Sequence, residues 1–235
     1  MRYLLLLLAV LCLRCAQNND GKTTAASGTP DSTTIQRPAT PNALVGLPDY
    51  DTTEWAELTQ LDPTIRLDLR YATDNNFVKA QIYDCGRCFL RPSVARAVVA
   101  AHRQLQKQGL GLKMFDCYRP RPVQWKLWKM VPDPRYVADP RKGSMHNRGA
   151  AADLTVVDST GRELDMGTGF DFFGEKAYHD FHGLPDNVLK NRQLLLNTME
   201  QHGFRHIRTE WWHYSFQPET FPIADWVWPC GDERH

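Results

Sequence analysis

Two short segments of this chain carry side chains able to hold a metal ion and move a proton. The first is Ser144-Met145-His146-Asn147-Arg148-Gly149-Ala150-Ala151-Ala152-Asp153, and the second is Glu210-Trp211-Trp212-His213. His146, Asp153 and His213 offer two ring nitrogens and one carboxylate oxygen, a set that suits a divalent metal. Three protein ligands leave zinc a fourth position for water, the arrangement of catalytic rather than structural sites. Glu210 lies three residues before His213 and could take a proton from the water that such a site activates. Gly149 and the alanines keep bulk low between His146 and Asp153, so the chain can turn there and enter a strand. Each residue also has a plainer reading: Asp153 as hydrogen-bonded scaffolding in an apolar strand, His146 as a loop histidine. One geometric objection stands. On an ideal strand Glu210 and His213 point to opposite faces, so both serve one site only if the strand begins after Glu210, or bends or bulges there.

The elements that must position these residues are legible in outline. Pro92-Ser93 opens an amphipathic helix through Val98, Val99, His102 and Leu105 that stops at Gly109. Leu112 to Phe115 reads as a short strand and Arg121 to Met130 as a helix. Ala150 to Val157 is a strand with Asp153 inside it, and Leu184 to His202 is a helix closed by Gly203. Trp211 to Phe216 is aromatic-rich and strand-like. Strands and helices mix without a βαβ rhythm, which favours α+β over a doubly wound sheet. Trp211 and Trp212 read as core packing, as do Trp226 and Trp228 around Cys230. The pair His179 and His182 lacks a glutamate at metalloprotease spacing and reads as a structural or rim feature.

The 235 residues divide into three parts by composition. Residues 1–15 pair a short positive start with an apolar run too short to span a bilayer as a mature helix, the pattern of a secretory leader. Cys15 stands where a lipoprotein's lipidated cysteine would, although Arg14 occupies a position that expects a small residue. Residues 16–45 are rich in Thr, Ser, Pro, Asn and Gly and lack the apolar surface to offset ordering, so a tether is expected. Residues 46–235 form the one folded domain. The net charge of +1 leaves no electrostatic footprint for nucleic acid, and no protein partner is implied. Outside the leader, Cys85, Cys88, Cys117 and Cys230 suit two disulfides in an oxidising compartment. Cys85 and Cys88 invite a local bridge or two buried thiols; half a structural zinc site would need a second such pair. Joining Cys117 to Cys230 would tie the C-terminal end to the body.

Taken together, Ser-x-His-x-x-Gly-x-Ala-x-Asp followed by Glu-Trp-Trp-His-Tyr resembles the D-Ala-D-Ala dipeptidase family. This is the VanX-type branch of the zinc D,D-peptidases, whose fold is shared with the hedgehog signalling domain. Further likeness lies in Tyr71-Ala72-Thr73 with Asn76-Phe77, in Asp116-Cys117-Tyr118-Arg119-Pro120, and in Met166-Gly167 with Phe170-Asp171-Phe172. It runs from Leu67 to Tyr214 in consistent order and excludes the leader and tether.

The resemblance implies a single α+β domain with a central antiparallel sheet and flanking helices. It implies one zinc ion per chain on His146, Asp153 and His213, Glu210 as general base and acid, and Arg119 stabilising the oxyanion. It also implies that Asp171 pairs with the substrate amine, with Tyr71 nearby, while Ser144 and Tyr83 bind its carboxylate. The expected reaction is hydrolysis of free D-Ala-D-Ala by an exported protein, periplasmic or lipid-anchored through Cys15. The alternative keeps the zinc site but acts on peptidoglycan stem peptides as a D,D-carboxypeptidase or endopeptidase. A non-enzymatic zinc module is disfavoured by Glu210 and Arg119.

Overall fold

Apolar residues Val94, Ala95, Val98, Ala101 and Leu105 recur at helical spacing and bury one face of helix α2, Pro92–Gln106. Pro92 sits at its first turn, where a missing N–H costs nothing. The computed structural model describes residues 47–231; the leader and tether expectations fall outside them. Ahead of α2 come three two-residue strands, β1 (Ala56–Glu57), β2 (Arg66–Leu67) and β3 (Phe89–Leu90), and the single-turn helix α1 (Leu58–Leu61). After it come β4 (Leu110–Asp116), α3 (Arg121–Met130), β5 (Ala151–Asp158), α4 (Asp186–Gln201), β6 (Phe204–Ile207) and β7 (Glu210–Phe216).

The main sheet has five strands in the order β2-β4-β5-β7-β6, and β1 pairs with β3 apart from it. The fold is therefore α+β. One detail differs from the expected antiparallel sheet: β2 runs parallel to β4. The chain between them passes through β3 and α2, and a crossover of that length returns a strand in the same direction. The α3 bounds match the sequence reading. The helix expected from Leu184 starts at Asp186 instead, because Pro185 caps it in an extended conformation. Strand β6 had no counterpart in the sequence reading; Gly203, at φ +88°, makes the turn that leads into it.

Strand β5 lies mid-sheet and is buried along Ala151–Val157. Its Ala152, Leu154 and Val156 join the core beneath α2 and α4, so by the period-two rule Asp153 faces the other way. That opposite face carries a second, aromatic cluster of Trp55, Tyr71, Tyr83, Phe89, Tyr118 and Trp228. Trp226 stacks on Trp55 at 5.2 Å between ring centres, so the terminal tryptophans pack as expected.

Two disulfides fasten these clusters, and neither is one the sequence suggested. Cys88 bonds Cys117 and Cys85 bonds Cys230. Cys88 and Cys117 belong to the sheet core, whereas Cys85 and Cys230 border the aromatic cluster. Cys85 and Cys88 therefore face different layers and do not pair, and Cys117 is bonded to Cys88 rather than to the tail.

Candidate active site

The sheet register brings the metal-ligating candidates together. Asp153 of β5 is paired with His213 of β7 on one side and with Asp116 of β4 on the other. One row across three strands thus carries Asp116, Asp153 and His213. His146 reaches the row from a short turn, His146–Arg148, that closes at Gly149 with φ +67°. A Cβ there would stand 2.6 Å from the Trp55 ring, so only glycine allows the chain to turn from His146 into β5.

His146 Nδ1–H donates to the Cys117 carbonyl at 2.7 Å. This contact sets the tautomer and leaves Nε2 as a lone-pair donor. That nitrogen lies 3.1 Å from His213 Nδ1 and 3.3 Å from Asp153 Oδ1, and His213 Nδ1 is 2.9 Å from Asp153 Oδ1. On its other side, His213 Nε2 contacts Ser215 Oγ at 3.0 Å. The three ligand atoms fall within 4.8 Å of one another. Two imidazole nitrogens and a carboxylate oxygen bring at most one shared proton into this space, so the donor set fits a divalent cation, and zinc in particular.

Glu210 opens β7, and the strand resolves the facing problem by an irregularity. Between His206 and Ile207 the β6–β7 pairing jumps, so that Ile207 opposes Glu210 while His206 opposes Tyr214. The bulge re-aims the start of β7, and Glu210 and His213 line one cavity. Burial raises the Glu210 carboxyl above its ordinary value, against the pull of His213.

Arg119 lines the same cavity, 9% exposed, held by a fully buried acid. Its Nε and Nη2 both donate to Asp116 Oδ2, at 3.0 and 2.5 Å, and Nη1 donates to Gln124 Oε1 at 3.1 Å. The guanidinium lies 4.8 Å from the Tyr71 ring centre. Burial works against its charge, and Asp116, Tyr71, Tyr83 and Asp153 together more than offset that.

The recognition candidates divide. Tyr71, Ser144 and Asp171 line the same cavity of about 210 Å³. Tyr71 donates its hydroxyl to Asp171 Oδ2 at 3.0 Å, and Ser144 Oγ donates to Asn147 Oδ1 at 3.1 Å. Burial, then the charge of Asp153, pushes the Asp171 carboxyl up to about 8. Tyr83 is the exception and corrects the sequence reading. Its hydroxyl donates to Asp116 Oδ1 at 2.6 Å, it is buried, and it does not line the cavity. Residue Tyr83 stands behind Arg119 rather than against a substrate. Neither His179 nor His182 lines the cavity; the His179 ring packs 4.4 Å from that of His206. Trp211 and Trp212 are buried as expected, and Trp212 also forms cavity wall.

Sequence reasoning assigned no role to Asp116, Gln124, Tyr136 or Phe173. Asp116 carried a signal like that of Asp153, an acid beside an apolar strand run. Tyr136 and Phe173 meet at the cavity mouth, their ring centres 4.8 Å apart, and nothing in their local sequence marks that meeting.

Comparison with known proteins agrees with this geometry. The family described as D-ala-D-ala dipeptidase matches residues 51–226. The chain is 38% identical over 181 residues to the D-alanyl-D-alanine dipeptidase of Escherichia coli, covering 77% of this chain and 94% of that one. It is 31% identical over 186 residues to the D-alanyl-D-alanine dipeptidase of Enterococcus faecium, covering 70% and 92%. With the matched region spanning every residue that lines the cavity, the chain belongs to the D-Ala-D-Ala dipeptidase family.

Proposed function

We propose that this protein hydrolyses the free dipeptide D-Ala-D-Ala to two D-alanines, with one zinc ion on His146, Asp153 and His213. The observation that carries the reading is the pairing of opposite demands within one cavity of about 210 Å³. One wall holds the metal ligands, Glu210 and Arg119, which suit peptide hydrolysis. The other holds Asp171, a buried carboxyl raised to about 8 with a tyrosine hydroxyl as its hydrogen-bond partner. A substrate ammonium supplies the positive charge that Asp171 lacks.

Zinc bound there would lower the pKa of a water and polarise the scissile carbonyl. Glu210 takes the proton as the water's oxygen attacks, and its raised pKa suits a base that must later give the proton back. Arg119, already charged and fixed by Asp116, compensates the negative charge that develops on the carbonyl oxygen without having to reorganise. Glu210 then delivers the proton to the leaving amine. Ser144 lies on the cavity wall as a donor for the substrate carboxylate.

The same carboxyl disfavours stem peptides, whose acylated nitrogen carries no positive charge to pair with it. Offering the zinc-loaded protein D-Ala-D-Ala, N-acetyl-D-Ala-D-Ala and a stem pentapeptide tests this directly. Cleavage of only the first is expected, and efficient cleavage of the blocked substrates would overturn the dipeptidase reading. We further propose that the protein is exported, with Cys15 as the candidate site of lipid attachment. Two disulfides in the catalytic domain support an oxidising location. Cell fractionation with thiol labelling is expected to find all four domain cysteines blocked in the envelope fraction. Free thiols in a cytoplasmic protein would refute export.

A further inference from the structure

Asp171 sits in a backbone conformation that aspartate seldom adopts, at φ +57°. A non-glycine residue in the left-handed region persists when its surroundings hold it there. The holding contacts converge on α4, on the far side of the loop from the cavity. Arg192 of that helix donates Nε to the Met166 carbonyl at 2.8 Å, Nη2 to the Lys176 carbonyl at 2.8 Å and Nη1 to the Tyr178 carbonyl at 3.1 Å. Met166 precedes Asp171, while Lys176 and Tyr178 follow it. One planar guanidinium therefore clasps both ends of the segment that carries the amine-binding candidate.

Arg192 is 5% exposed, and among the described residues no carboxylate forms an ion pair with it. Such a buried charge is costly unless its donors are all engaged. Three backbone carbonyls from one loop engage its three nitrogens, one each, an arrangement that lysine's single ammonium cannot copy. Neighbouring contacts reinforce the neck. Asn191 Nδ2 donates to the Asp165 carbonyl at 2.9 Å, and Trp211 Nε1 donates to Thr168 Oγ1 at 2.8 Å. Gly167, at φ +77°, presses its backbone on α4 so closely that a Cβ would stand 2.9 Å from Val188 Cγ1. At the loop's inner end the remaining polar hold on Asp171 is the Tyr71 hydroxyl.

We propose that Arg192 is a positioning residue for substrate recognition: by clasping the neck of the 166–178 loop it holds Asp171 where a substrate ammonium binds. The inference rests on the reading of Asp171 as the amine-binding group. It predicts that loosening the clasp weakens binding of the free dipeptide while leaving the hydrolytic wall, built on β5 and β7, intact.

The test compares Arg192→Met, Asp171→Asn and the double variant in the full-length, zinc-loaded protein. Methionine fills the space without leaving a buried charge unpaired. Arg192→Met is expected to raise KM for D-Ala-D-Ala about tenfold with kcat within about threefold of wild type. Hydrogen exchange should quicken in residues 167–175 while β5 and β7 keep their protection. In the Asp171→Asn background, Arg192→Met should add no more than about twofold to KM, since a residue acting through Asp171 has nothing left to position. A folded Arg192→Met protein with wild-type KM would overturn the proposal. So would a full multiplication of the two KM effects, or a fall in kcat at constant KM. If Arg192→Met does not fold, Arg192→Lys takes its place, with the same direction expected and the same outcomes decisive. A wild-type protein inactive on D-Ala-D-Ala would instead refute the assigned reaction, and the exchange measurement would still judge the clasp.

Discussion

The two walls of the cavity are built from different materials. The hydrolytic wall is sheet: Asp116, Asp153 and His213 occupy one row across β4, β5 and β7, and His146 is tied to the row through the Cys117 carbonyl. The recognition wall is loop: Tyr71 comes from a single turn and Asp171 from a segment with no strand of its own, clasped from outside. Ladder hydrogen bonds tie the first to its neighbouring strands, which suits bond-making chemistry that needs fixed geometry. The second is held through side chains instead, so mutation is expected to separate selectivity from chemistry.

The most severe way to break the hydrolytic wall is Glu210→Gln. It should lower kcat by about three orders of magnitude while chelator titration finds zinc unchanged; near-normal turnover would remove Glu210 from the mechanism. On the recognition wall, Asp171→Asn should raise KM for the dipeptide about a hundredfold, the scale for losing one partner of a buried charge pair, with a much smaller change in kcat. Steady-state kinetics on the two variants would show opposite signatures, and matching signatures would dissolve the distinction between the walls.

Smaller effects sharpen the comparison. Replacing Cys88 and Cys117 together by serine should cost about 2–5 kcal/mol of stability and also weaken zinc binding, because Cys117 carries the carbonyl that orients His146. Replacing Cys85 and Cys230 should lower the melting temperature but leave zinc affinity near wild type. Tyr83→Phe removes one hydrogen bond from Asp116, an effect of about 1–2 kcal/mol. It should reduce kcat modestly through Arg119 and leave KM unchanged; a raised KM would restore Tyr83 to the substrate.

The last effect is one of pH in the metal-free protein. The Asp171 carboxyl lies near 8 when folded, against an ordinary 3.8, so the folded state holds the proton more tightly than the unfolded chain. That contribution to stability is complete below about pH 4 and is lost as the pH rises towards 8. Denaturation measured across this window should show a decline that Asp171→Asn abolishes.

Much of the hydrolytic wall was legible because its chemistry is written in short segments. His146 and Asp153 lie on either side of a tight glycine turn, and Glu210 and His213 share a few residues of one strand. Even the objection that Glu210 and His213 should face apart was visible, and the bulge in β7 answers it. The cysteines were harder. A C-x-x-C spacing suggests a local bridge, but pairing depends on which layer each thiol faces, and layers are a tertiary property. Tyr83 was misplaced for a similar reason: a hydroxyl that serves Asp116 is indistinguishable in sequence from one that serves a substrate.

By itself the sequence picked out the candidate ligands, the candidate general base, the candidate oxyanion arginine through its family likeness, and the helices and strands that carry them. Side-chain chemistry and local periodicity are properties of neighbouring residues, so these survive without coordinates. Only the tertiary structure decided the disulfide partners, the buried Asp116–Tyr83 support behind Arg119 and the clasp of Arg192 on the Asp171 loop. Each of these joins residues far apart in the chain, and the free energy that selects them comes from burial and hydrogen-bond satisfaction in the packed molecule.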